Sequence, residues 1–289
     1  MEIQSATLPA QQNAKLERCL AIVDPDKVDW AEVEKTGRVL DRRLRIERQH
    51  TKLGRDYFFV NFKETAKRFP TFYYWMVKIV SPLYAPYMTR KMRRRLLQTY
   101  LDRDATVINV GAGNMALDPR VINLDLFAYE NVDVATDATD LCLKDEVADF
   151  LVNESCIEHI YDFKAAIRES YRVLKKGGKG YFNIPFLVGF HASPNDFHRF
   201  TYAGLRRLFE EHGFKVEELE VLSGPASSLL WVLIELLAMI FSLGWKPLYQ
   251  VLYFVFMGLL FPVKFLDALL NRSPLARNIA ATFYVVVSK

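Results

Sequence analysis

The strongest constraint on the fold is a run of strand-forming residues that ends in closely spaced glycines. Thr106 to Asn114 reads TVINVGAGN, and a second apolar run, VINLD, closes at Asp125. A β-branched strand that enters a glycine-rich turn lets the backbone approach a ligand that a Cβ atom would exclude. A single Gly-x-Gly pair is a weak signal, so its meaning depends on the rest of the chain.

The chain from 105 to 223 alternates strands with helices, which indicates a mostly parallel sheet covered on both faces. Helices are predicted at about 162–175, closed by Gly177-Gly178, and at about 201–212, opened by Thr201 and closed by Gly213. A further strand is predicted in the last eleven residues, IAATFYVVVSK. The other predicted strands are 106–111, 121–125, 132–135, 148–152, 179–184 and 214–222.

The connection between the first two strands is short. Only seven residues, Asn114 to Arg120, separate Gly113 from the second strand. A parallel crossover normally needs a dozen or more residues, and seven extended residues reach at most about 25 Å. We therefore expect no full helix here and at most one turn around Asp118-Pro119. This leaves part of one sheet face uncovered, and the aromatic N-terminal segment is a candidate cover.

The N-terminal region changes character along its length. Residues 1–56 are polar and predicted to be helical, with a basic cluster from Lys35 to Arg55. Tyr57 to Tyr87 then mixes eleven aromatic residues with a few lysines and arginines, and the basic run Arg90 to Arg95 follows. Such a mixture is typical of a segment in a membrane interface, although aromatic stripes also belong to protein cores.

Two apolar blocks follow Gly224. They are Ala226 to Trp245 and Leu248 to Val263, separated by Lys246-Pro247 and with Glu235 as the internal charge. As helices they would be about 30 Å and 24 Å long, so the first could span a bilayer and the second is marginal. We expect membrane contact, with a helical cap or a dimer interface as the alternative. If the last strand rejoins the sheet, the blocks form a hairpin or a pair of in-plane helices.

The order of these motifs resembles that of class I S-adenosylmethionine-dependent methyltransferases, in particular their small-molecule branch. The stretches that carry the resemblance are VINVGAGN, VINLDL, VDVATDATDL, ADFLVNESCIEHI, RESYRVLKKGGKGYFNIP, HRFTYAGLRRLFEEHGFKV and TFYVVVSK. The resemblance implies an α/β fold with a Rossmann-like, doubly wound sheet of seven strands, the last one antiparallel. Residues 1–104 would form an N-terminal helical or interfacial region, 105–223 with 279–289 the methyltransferase domain, and 224–278 an inserted apolar helical hairpin.

The resemblance also implies that S-adenosylmethionine is the cofactor and that it lies across the carboxyl ends of the strands. Asp125 would accept hydrogen bonds from two ribose hydroxyls, and Asp137 with Ala138 would contact the adenine. An Asp at a strand end is also a common helix cap, so both roles stay open. The cofactor-binding residues implied in this way are Asn109, Gly111, Gly113, Asp125, Leu126, Asp137, Ala138, Asn153 and Glu154.

The sequence departs from the family pattern at Asn109, where Asp or Glu is usual. An ionic contact to the amino group of the ligand would there become a neutral hydrogen bond. Gly111 to Ala116 also satisfies the G-x-G-x-x-A dinucleotide fingerprint, but Asp125 follows fourteen positions after the first glycine instead of about 20. No helix N-terminus is predicted for a pyrophosphate, so NAD and FAD are disfavoured. Nucleic-acid methylation is disfavoured because no Asn/Asp-Pro-Pro-aromatic motif follows the fourth strand.

Methyl transfer from a sulfonium is an in-line displacement, so the protein mainly aligns the acceptor and excludes water. A general base is needed only for a hydroxyl or a carbon acid. The candidate catalytic residues are His191, His159 and His198, of which two lie in the loop 186–200 that resembles an acceptor-closing loop. In that loop Asp196 and Arg199 would either serve the acceptor or form a stabilising pair. The spacing of the loop histidines gives no convincing metal site, and no metal is expected.

The location of the apolar insertion suggests the acceptor. The sixth strand is expected to run parallel to the others, so the insertion would leave the sheet beside the cofactor. We therefore expect a lipid-borne acceptor, such as a quinone, a polyprenyl-linked sugar or a lipid headgroup, at the cytoplasmic face of a membrane. Three unrelated cysteines agree with a reducing cytoplasm. The alternatives are a soluble small-molecule acceptor with an apolar dimer interface, and a membrane-tethered module that binds cofactor without turnover.

Overall fold

The computed structural model describes residues 10–44, 78–114, 116–191 and 195–289. Within them, eight strands form one mixed sheet in the order β1-β4-β3-β2-β5-β6-β8-β7. All neighbours are parallel except for β8, which is antiparallel to both β6 and β7. The strands are β1 (Val39–Leu40), β2 (Val107–Val110), β3 (Ile122–Asp125), β4 (Val134–Ala135), β5 (Ala148–Glu154), β6 (Leu174–Pro185), β7 (Lys215–Ser223) and β8 (Thr282–Ser288). The predicted α/β class and the antiparallel last strand are confirmed.

Eight helices with both ends in the described ranges accompany the sheet, and residues 78–80 are also helical. They are α1 (Ala10–Ile22), α2 (Trp30–Thr36), α3, α4 (Phe163–Val173), α5 (Tyr202–Glu211), α6 (Pro225–Ser242), α7 (Lys246–Leu260) and α8 (Asp267–Leu270). Helix α3 is a continuous run of Arg90–Met92, a π-helical stretch Arg93–Gln98, and Thr99–Leu101. Short 3₁₀ turns lie at Pro25–Lys27, Ile157–His159, Phe261–Leu266 and Pro274–Ile279. Thr201 opens α5 as predicted, since its hydroxyl accepts from the amide of Gly204.

Two details differ from the sequence prediction. Strand β1 lies in a region predicted to be helical, and it adds an eighth strand by pairing in parallel with β4. The Gly177-Gly178 pair does not close α4, because that helix ends at Val173 and β6 begins at the next residue. The pairing of β6 with β5 jumps between Ala148 and Phe150 instead, and Gly177 has φ +75. The glycines therefore form a bulge in the strand.

The two sheet faces are covered by different parts of the chain. One face packs against α1, α4 and α5 in the larger apolar core. The other face packs against α3, whose Leu97 and Leu101 form one cluster with Val107 and Phe150. The described residues between β2 and β3, 111–114 and 116–121, contain no helix, as expected from the short connection. The aromatic segment predicted to cover this gap lies outside the described residues over 57–77, as do the basic residues Arg45, Arg48, Lys52 and Arg55.

The apolar insertion is anchored to the sheet by a buried carboxylate. Asp267 is fully buried and accepts from the amides of Gly224 at 2.9 Å and Ala226 at 2.8 Å. It also accepts from the amide and hydroxyl of Ser227, at 3.1 and 2.6 Å. A carboxylate at a helix N-terminus satisfies amides that have no partner within the helix. Asp267 therefore ties the end of the insertion to the start of α6, after which β8 rejoins the sheet.

Helices α6 and α7 pack against each other and expose an extensive apolar surface. The outer residues of α6 recur at helical spacing and are 43–62% exposed: Leu229, Val232, Leu236 and Met239. Helix α7 contains no buried residue. Pro225–Ser242 and Lys246–Leu270 are long and apolar enough to cross a membrane, with a mean hydropathy of 1.8 each. We call the outer face of α6 and α7 the apolar face.

Candidate functional site

The glycine turn after β2 is held against the end of β3. The amides of Gly111 and Ala112 both donate to the carbonyl of Leu124, at 2.9 and 3.0 Å. The next glycine, Gly113, donates its amide to Oδ2 of Asp125 at 2.8 Å. Both glycines have positive φ, +77 and +55, a conformation that L side chains rarely adopt. The turn and Asp125 are therefore one hydrogen-bonded unit.

The two glycines have different surroundings. A Cβ on Gly111 would lie 2.3 Å from Sγ and 2.5 Å from Cβ of Cys156, whereas a Cβ on Gly113 would have no neighbour within 4 Å. Gly111 is therefore required by packing within the protein. Of these two glycines, Gly113 is the one that borders space left open by the described residues.

Asp125 uses both carboxylate oxygens to shape the turn. Its Oδ2 accepts from Gly113, and its Oδ1 accepts from the amide of Phe127 at 2.9 Å. Leu126, the next residue, exposes 47% of its surface beside the turn.

Asp137 also shapes its own loop. Its Oδ1 accepts from the amide and the hydroxyl of Thr139, both at 2.8 Å, which is the geometry of an Asx turn. Ala138 packs against the larger core. Both residues follow β4, at the same carboxyl edge of the sheet as Asp125.

Two buried asparagines lie on the central strands. Asn109 donates to Oδ1 of Asn123 at 3.2 Å, so it links β2 to β3. Asn153 donates from Nδ2 to the carbonyl of Val110 at 3.1 Å, while its Oδ1 has no hydrogen-bond partner among the described residues. A buried acceptor without a partner is rare and invites a ligand donor. Together with the open space at Gly113, it fits a polar ligand at this edge.

Glu154, at the end of β5, accepts from the amide of Met88 at 2.8 Å. Burial raises its pKa from 4.5 to about 7, and the hydrogen bond from Met88 and the charge of Arg93 oppose this shift. The same carboxylate contributes to the raised pKa of Tyr181, after the larger effect of burial. Glu154 is therefore a carboxyl group that changes charge near neutral pH.

The raised pKa of Glu154 predicts a pH-dependent stability. Between pH 4.5 and about 7 the unfolded chain releases a proton that the folded chain keeps, so the free energy of unfolding falls as pH rises. The shift corresponds to at most about 3 kcal/mol. The variant Glu154→Gln should lose this contribution, as measured by urea unfolding at about pH 5 and about pH 8. The exposed Glu220→Gln serves as control, and an equal pH dependence in Glu154→Gln and wild type would contradict the assignment.

Cys156 connects the glycine turn to a second group of polar side chains. Burial raises the pKa of its thiol, and the charges of Asp125, Glu158 and Asp137 act in the same direction. These three carboxylates therefore lie close enough to influence one sulfur atom. The thiol itself packs against Gly111 and stays protonated.

Glu158, His159 and His191 form a compact cluster just beyond Cys156. One ligand atom from each lies within 4.8 Å of the other two. Glu158 is completely buried, and neither of its carboxylate oxygens has a hydrogen-bond partner among the described residues. Its Oε1 lies 3.8 Å from Nε2 of His159 and 3.6 Å from Nε2 of His191. Burial lowers the pKa of His159, which favours the neutral imidazole.

The loop that carries His191 is stabilised by Asp196. This carboxylate accepts from the amide of His191 at 2.9 Å and from two guanidinium nitrogens of Arg199, at 2.5 and 2.6 Å. The charge-assisted pair fixes the loop, so the stabilising alternative for Asp196 and Arg199 matches the contacts. Residues 192–194 of the loop lie outside the described ranges.

His198 lies apart from the cluster. Its Nε2 lies 3.1 Å from the carbonyl of Tyr161, and its ring contacts Phe163 and Phe200. The three histidines singled out from the sequence therefore separate into a pair, His159 and His191, and one outlier. The structure brings only the pair together with a carboxylate.

The acceptor loop packs directly against the apolar insertion. A Cβ on Gly189 would lie 2.3 Å from Nε1 of Trp231 and 3.2 Å from Oε1 of Glu235, both on α6. The ring of Trp231 also lies 5.8 Å from that of His191, and its Nε1 is buried without a partner in the described part of the chain. The inner side of α6 is thus a wall of the candidate site.

Sequence reasoning missed Glu158, Cys156 and Trp231. Glu158 is adjacent to His159 in the sequence, but nothing in its neighbourhood signals that the carboxylate is buried. The contact of Cys156 with Gly111 joins residues far apart in the chain. Trp231 looks like part of an apolar block, and only tertiary packing gives it a place beside His191.

Comparison with known proteins gives a match to one family model over part of the chain. Residues 94–182 match the model of a methyltransferase domain. The search of curated proteins gave no match. Among solved structures, the fold is similar to 1,6-didemethyltoxoflavin-N1-methyltransferase from Burkholderia thailandensis (13% identity, 80% of this chain and 85% of that chain, TM-score 0.44). It is also similar to phosphoethanolamine N-methyltransferase 2 from Haemonchus contortus (15% identity, 80% and 60%, TM-score 0.44).

Proposed function

We propose that this chain, whose residues 94–182 match a methyltransferase domain, is a class I S-adenosylmethionine-dependent methyltransferase that methylates an acceptor held at a membrane surface, on the cytoplasmic face. The acceptor class is a lipid-borne group: a quinone, a polyprenyl-linked sugar or a lipid headgroup. The cofactor, when bound, supplies a methyl group on a positively charged sulfur, which needs no further activation. The protein then has to bind, align and shield the two reactants.

The residues proposed to hold the cofactor lie along one edge of the sheet. Gly113 gives backbone access, Asp125 accepts from the ribose hydroxyls, and Asp137 with Ala138 borders the adenine. Asn153 offers its unpaired buried Oδ1 to the methionine portion. The other proposed contacts are Asn109, Gly111, Leu126 and Glu154. Asn109 and Gly111 act indirectly, since Asn109 bonds Asn123 and Gly111 packs on Cys156.

The observation that carries the membrane proposal is that α6 contacts the candidate site on one side and exposes apolar residues on the other. Its inner residues Trp231 and Glu235 contact the loop of Gly189 and His191, while its outer residues form the apolar face. An exposed apolar surface of this extent is typical of a site that meets a membrane or a partner. An acceptor anchored in a bilayer would therefore arrive beside the histidine cluster without leaving the lipid.

The experiment uses the purified full chain with methyl-labelled S-adenosylmethionine. Lipid extracts in vesicles and a pool of water-soluble metabolites are offered separately, and labelled products are separated by extraction into organic solvent. We expect label in the lipid phase, with transfer that depends on vesicles. Label found only in soluble products, together with no vesicle binding, would reject the membrane acceptor and leave the methyltransferase assignment intact.

Introducing charged side chains into the apolar face should strongly weaken membrane binding. The double variant Leu229→Glu with Met239→Glu changes two residues that are 62% and 59% exposed. Each buried leucine-sized side chain is worth about 1.5–3 kcal/mol, so vesicle binding should weaken by at least about 100-fold. Flotation with vesicles measures this, and cofactor binding should stay at the wild-type value.

The matched control for this variant is Lys164→Glu on α4. Lys164 is exposed and lies outside the insertion, and its replacement by Glu adds the same two units of negative charge. If the double variant Leu229→Glu with Met239→Glu floats with vesicles as the wild type does, the membrane proposal is wrong. If the pair instead converts a dimer into a monomer, as seen by sedimentation in the absence of lipid, the apolar face serves a second copy of the chain.

A further inference from the structure

The cluster of Glu158, His159 and His191 has the features of a cation site that its sequence spacing conceals. His159 and His191 stand 32 positions apart, and they meet because the loop after β6 folds back over the 3₁₀ turn after β5. The amides of Phe197 and His198 donate to the carbonyl of Glu158, at 2.9 and 3.3 Å, which fixes this contact. The cluster is therefore built by two elements that the backbone holds together.

Backbone carbonyls orient both imidazoles. Nδ1 of His159 lies 2.5 Å from the carbonyl of Asn195, and Nδ1 of His191 lies 3.0 Å from the carbonyl of Gly189. A carbonyl only accepts, so these two contacts favour a proton on Nδ1 and a lone pair on Nε2 in the neutral rings, and the shorter contact of His191 with Gly189 outweighs the 3.4 Å approach of an Arg199 guanidinium nitrogen to the same Nδ1. This arrangement is typical of histidines that bind metal ions through Nε2.

Three atoms face one another at the centre of the cluster, namely Nε2 of His159, Nε2 of His191 and Oε1 of Glu158, and no cationic group lies among them in the described part of the chain. Two Nε2 lone pairs face Oε1 of Glu158, at 3.8 and 3.6 Å, and the buried carboxylate receives no hydrogen bond among the described residues. A buried carboxylate without a partner is costly, because charges are rarely buried unless they are paired or bind a metal. A cation between the three atoms would satisfy all of them at once.

The distances and the donor set match a particular kind of ion. Bonds of about 2.0–2.1 Å to Zn²⁺ in tetrahedral geometry put neighbouring ligand atoms about 3.4 Å apart. The separations from Oε1 of Glu158 to the two Nε2 atoms are 3.6 and 3.8 Å, and all three atoms lie within 4.8 Å of one another, so the imidazoles would move inward to enclose the ion. Two imidazoles and one carboxylate are also the donors of open catalytic zinc sites, which keep a further position for a water or a substrate.

We propose that Glu158, His159 and His191 bind one divalent transition-metal cation, with Zn²⁺ as the best match. The proposal goes beyond the proposed function, since the binding of the ion does not depend on what the acceptor is. Where an oxygen of the acceptor occupies the open position, the ion would align that oxygen beside the cofactor edge, and this second statement rests on the proposed function. His159 and His191 would then orient the acceptor and would not take its proton.

The test measures metal on the full chain purified without an affinity tag. The chain is stripped with a chelator, dialysed against buffered Zn²⁺ and analysed by elemental mass spectrometry. We expect one bound equivalent and a rise in the melting temperature on addition of Zn²⁺. Substitution with Co²⁺ should give visible ligand-field bands that report the geometry of the site.

The variants Glu158→Gln and His191→Asn each remove one ligand. Loss of a direct ligand should weaken binding at least about 100-fold, since even the partners that orient such ligands are worth 10–100-fold. His212→Asn is the matched control, because His212 bonds the carbonyl of Leu208 on α5, away from the cluster. Circular dichroism without metal shows whether each variant is folded. If Glu158→Gln does not fold, His191→Asn alone provides the test.

Three outcomes would overturn the proposal. The first is that the wild-type chain binds less than one-tenth of an equivalent of Zn²⁺. The second is that the wild type and the folded ligand variants bind Zn²⁺ equally. The third is that NMR spectra recorded with Zn²⁺ present show a proton shared between Glu158 and an imidazole. Titration with S-adenosylmethionine and the lipid assay run in parallel. Failure of the cation site would leave both unchanged, whereas failure of the lipid acceptor would leave the metal content unchanged.

Discussion

Replacing Asp125 by asparagine is expected to weaken the binding of S-adenosylmethionine by about 100-fold or more. Hydrogen bonds to a charged group are worth about 1.5–3 kcal/mol each, and two ribose hydroxyls would lose the charged acceptor. Asparagine also has only one oxygen, whereas Oδ1 and Oδ2 of Asp125 accept from the amides of Phe127 and Gly113. The turn that presents Gly113 would therefore lose one of its supports. Calorimetric titration measures the affinity, and thermal unfolding measures the stability.

Asp118→Asn is the matched control for Asp125→Asn. Asp118 lies in the connection that leads into β3 and also accepts through Oδ1 from a backbone amide two residues on, that of Arg120, at 3.0 Å. It makes an exposed pair with Arg120 and lies outside the proposed cofactor contacts. Wild-type affinity in Asp125→Asn, with the expected small loss of stability, would assign Asp125 to the turn alone.

The strands of the central sheet were predictable because their apolar runs are continuous, as expected for strands buried on both faces. Strand β1 was not, because Val39 and Leu40 are only two residues and acquire strand geometry by pairing with Val134 and Ala135. The Gly177-Gly178 pair was predicted to end the preceding helix, whereas it lies inside β6. A glycine pair next to Lys175 and Lys176 does not distinguish a C-cap from a bulge in the following strand.

The site was predictable only where residues close together in the sequence also form the contact. The glycine turn and Asp125 follow from local spacing, and the structure joins them by the hydrogen bond from Gly113. The packing of Gly111 on Cys156 and of Gly189 on Trp231 depends on chain crossings that spacing does not encode. The same limit applies to Glu158, whose burial is created by a loop that begins almost thirty residues later.

The apolar face and the cation cluster meet through α6. Trp231 contacts the ring of His191, so a change on the inner side of this helix would reach the cluster, while a change on its outer side would reach the proposed membrane contact. The polar pair Glu235 and Tyr249 links α6 to α7 between these surfaces. Under the membrane proposal, this one helix would present a bilayer-bound acceptor to a fixed polar site.

The two glycines of the turn are expected to respond differently to alanine. In Gly111→Ala the new Cβ would lie 2.3 Å from Sγ of Cys156 at a φ of +77. Overpacking typically costs about 1–3 kcal/mol, and the left-handed conformation adds about 1–2 kcal/mol. Gly111→Ala should therefore lose about 2–5 kcal/mol of stability and, with the turn displaced, most of its cofactor affinity. Urea unfolding and calorimetric titration measure the two effects.

Gly113→Ala is the control that separates packing from ligand access. Its Cβ would meet no atom of the described residues within 4 Å, so the strain of φ +55 is the cost that remains and the stability loss should be about 1–2 kcal/mol. Cofactor affinity should nevertheless fall at least about tenfold, because the methyl group enters the space proposed for the ligand. The double variant Gly111→Ala with Cys156→Gly removes the clashing side chain and should recover part of the lost stability, with a coupling of about 1–3 kcal/mol. Additive effects in that cycle would show that Cys156 does not dictate the glycine, and equal responses at both positions would show that the open space at Gly113 is not where the cofactor binds.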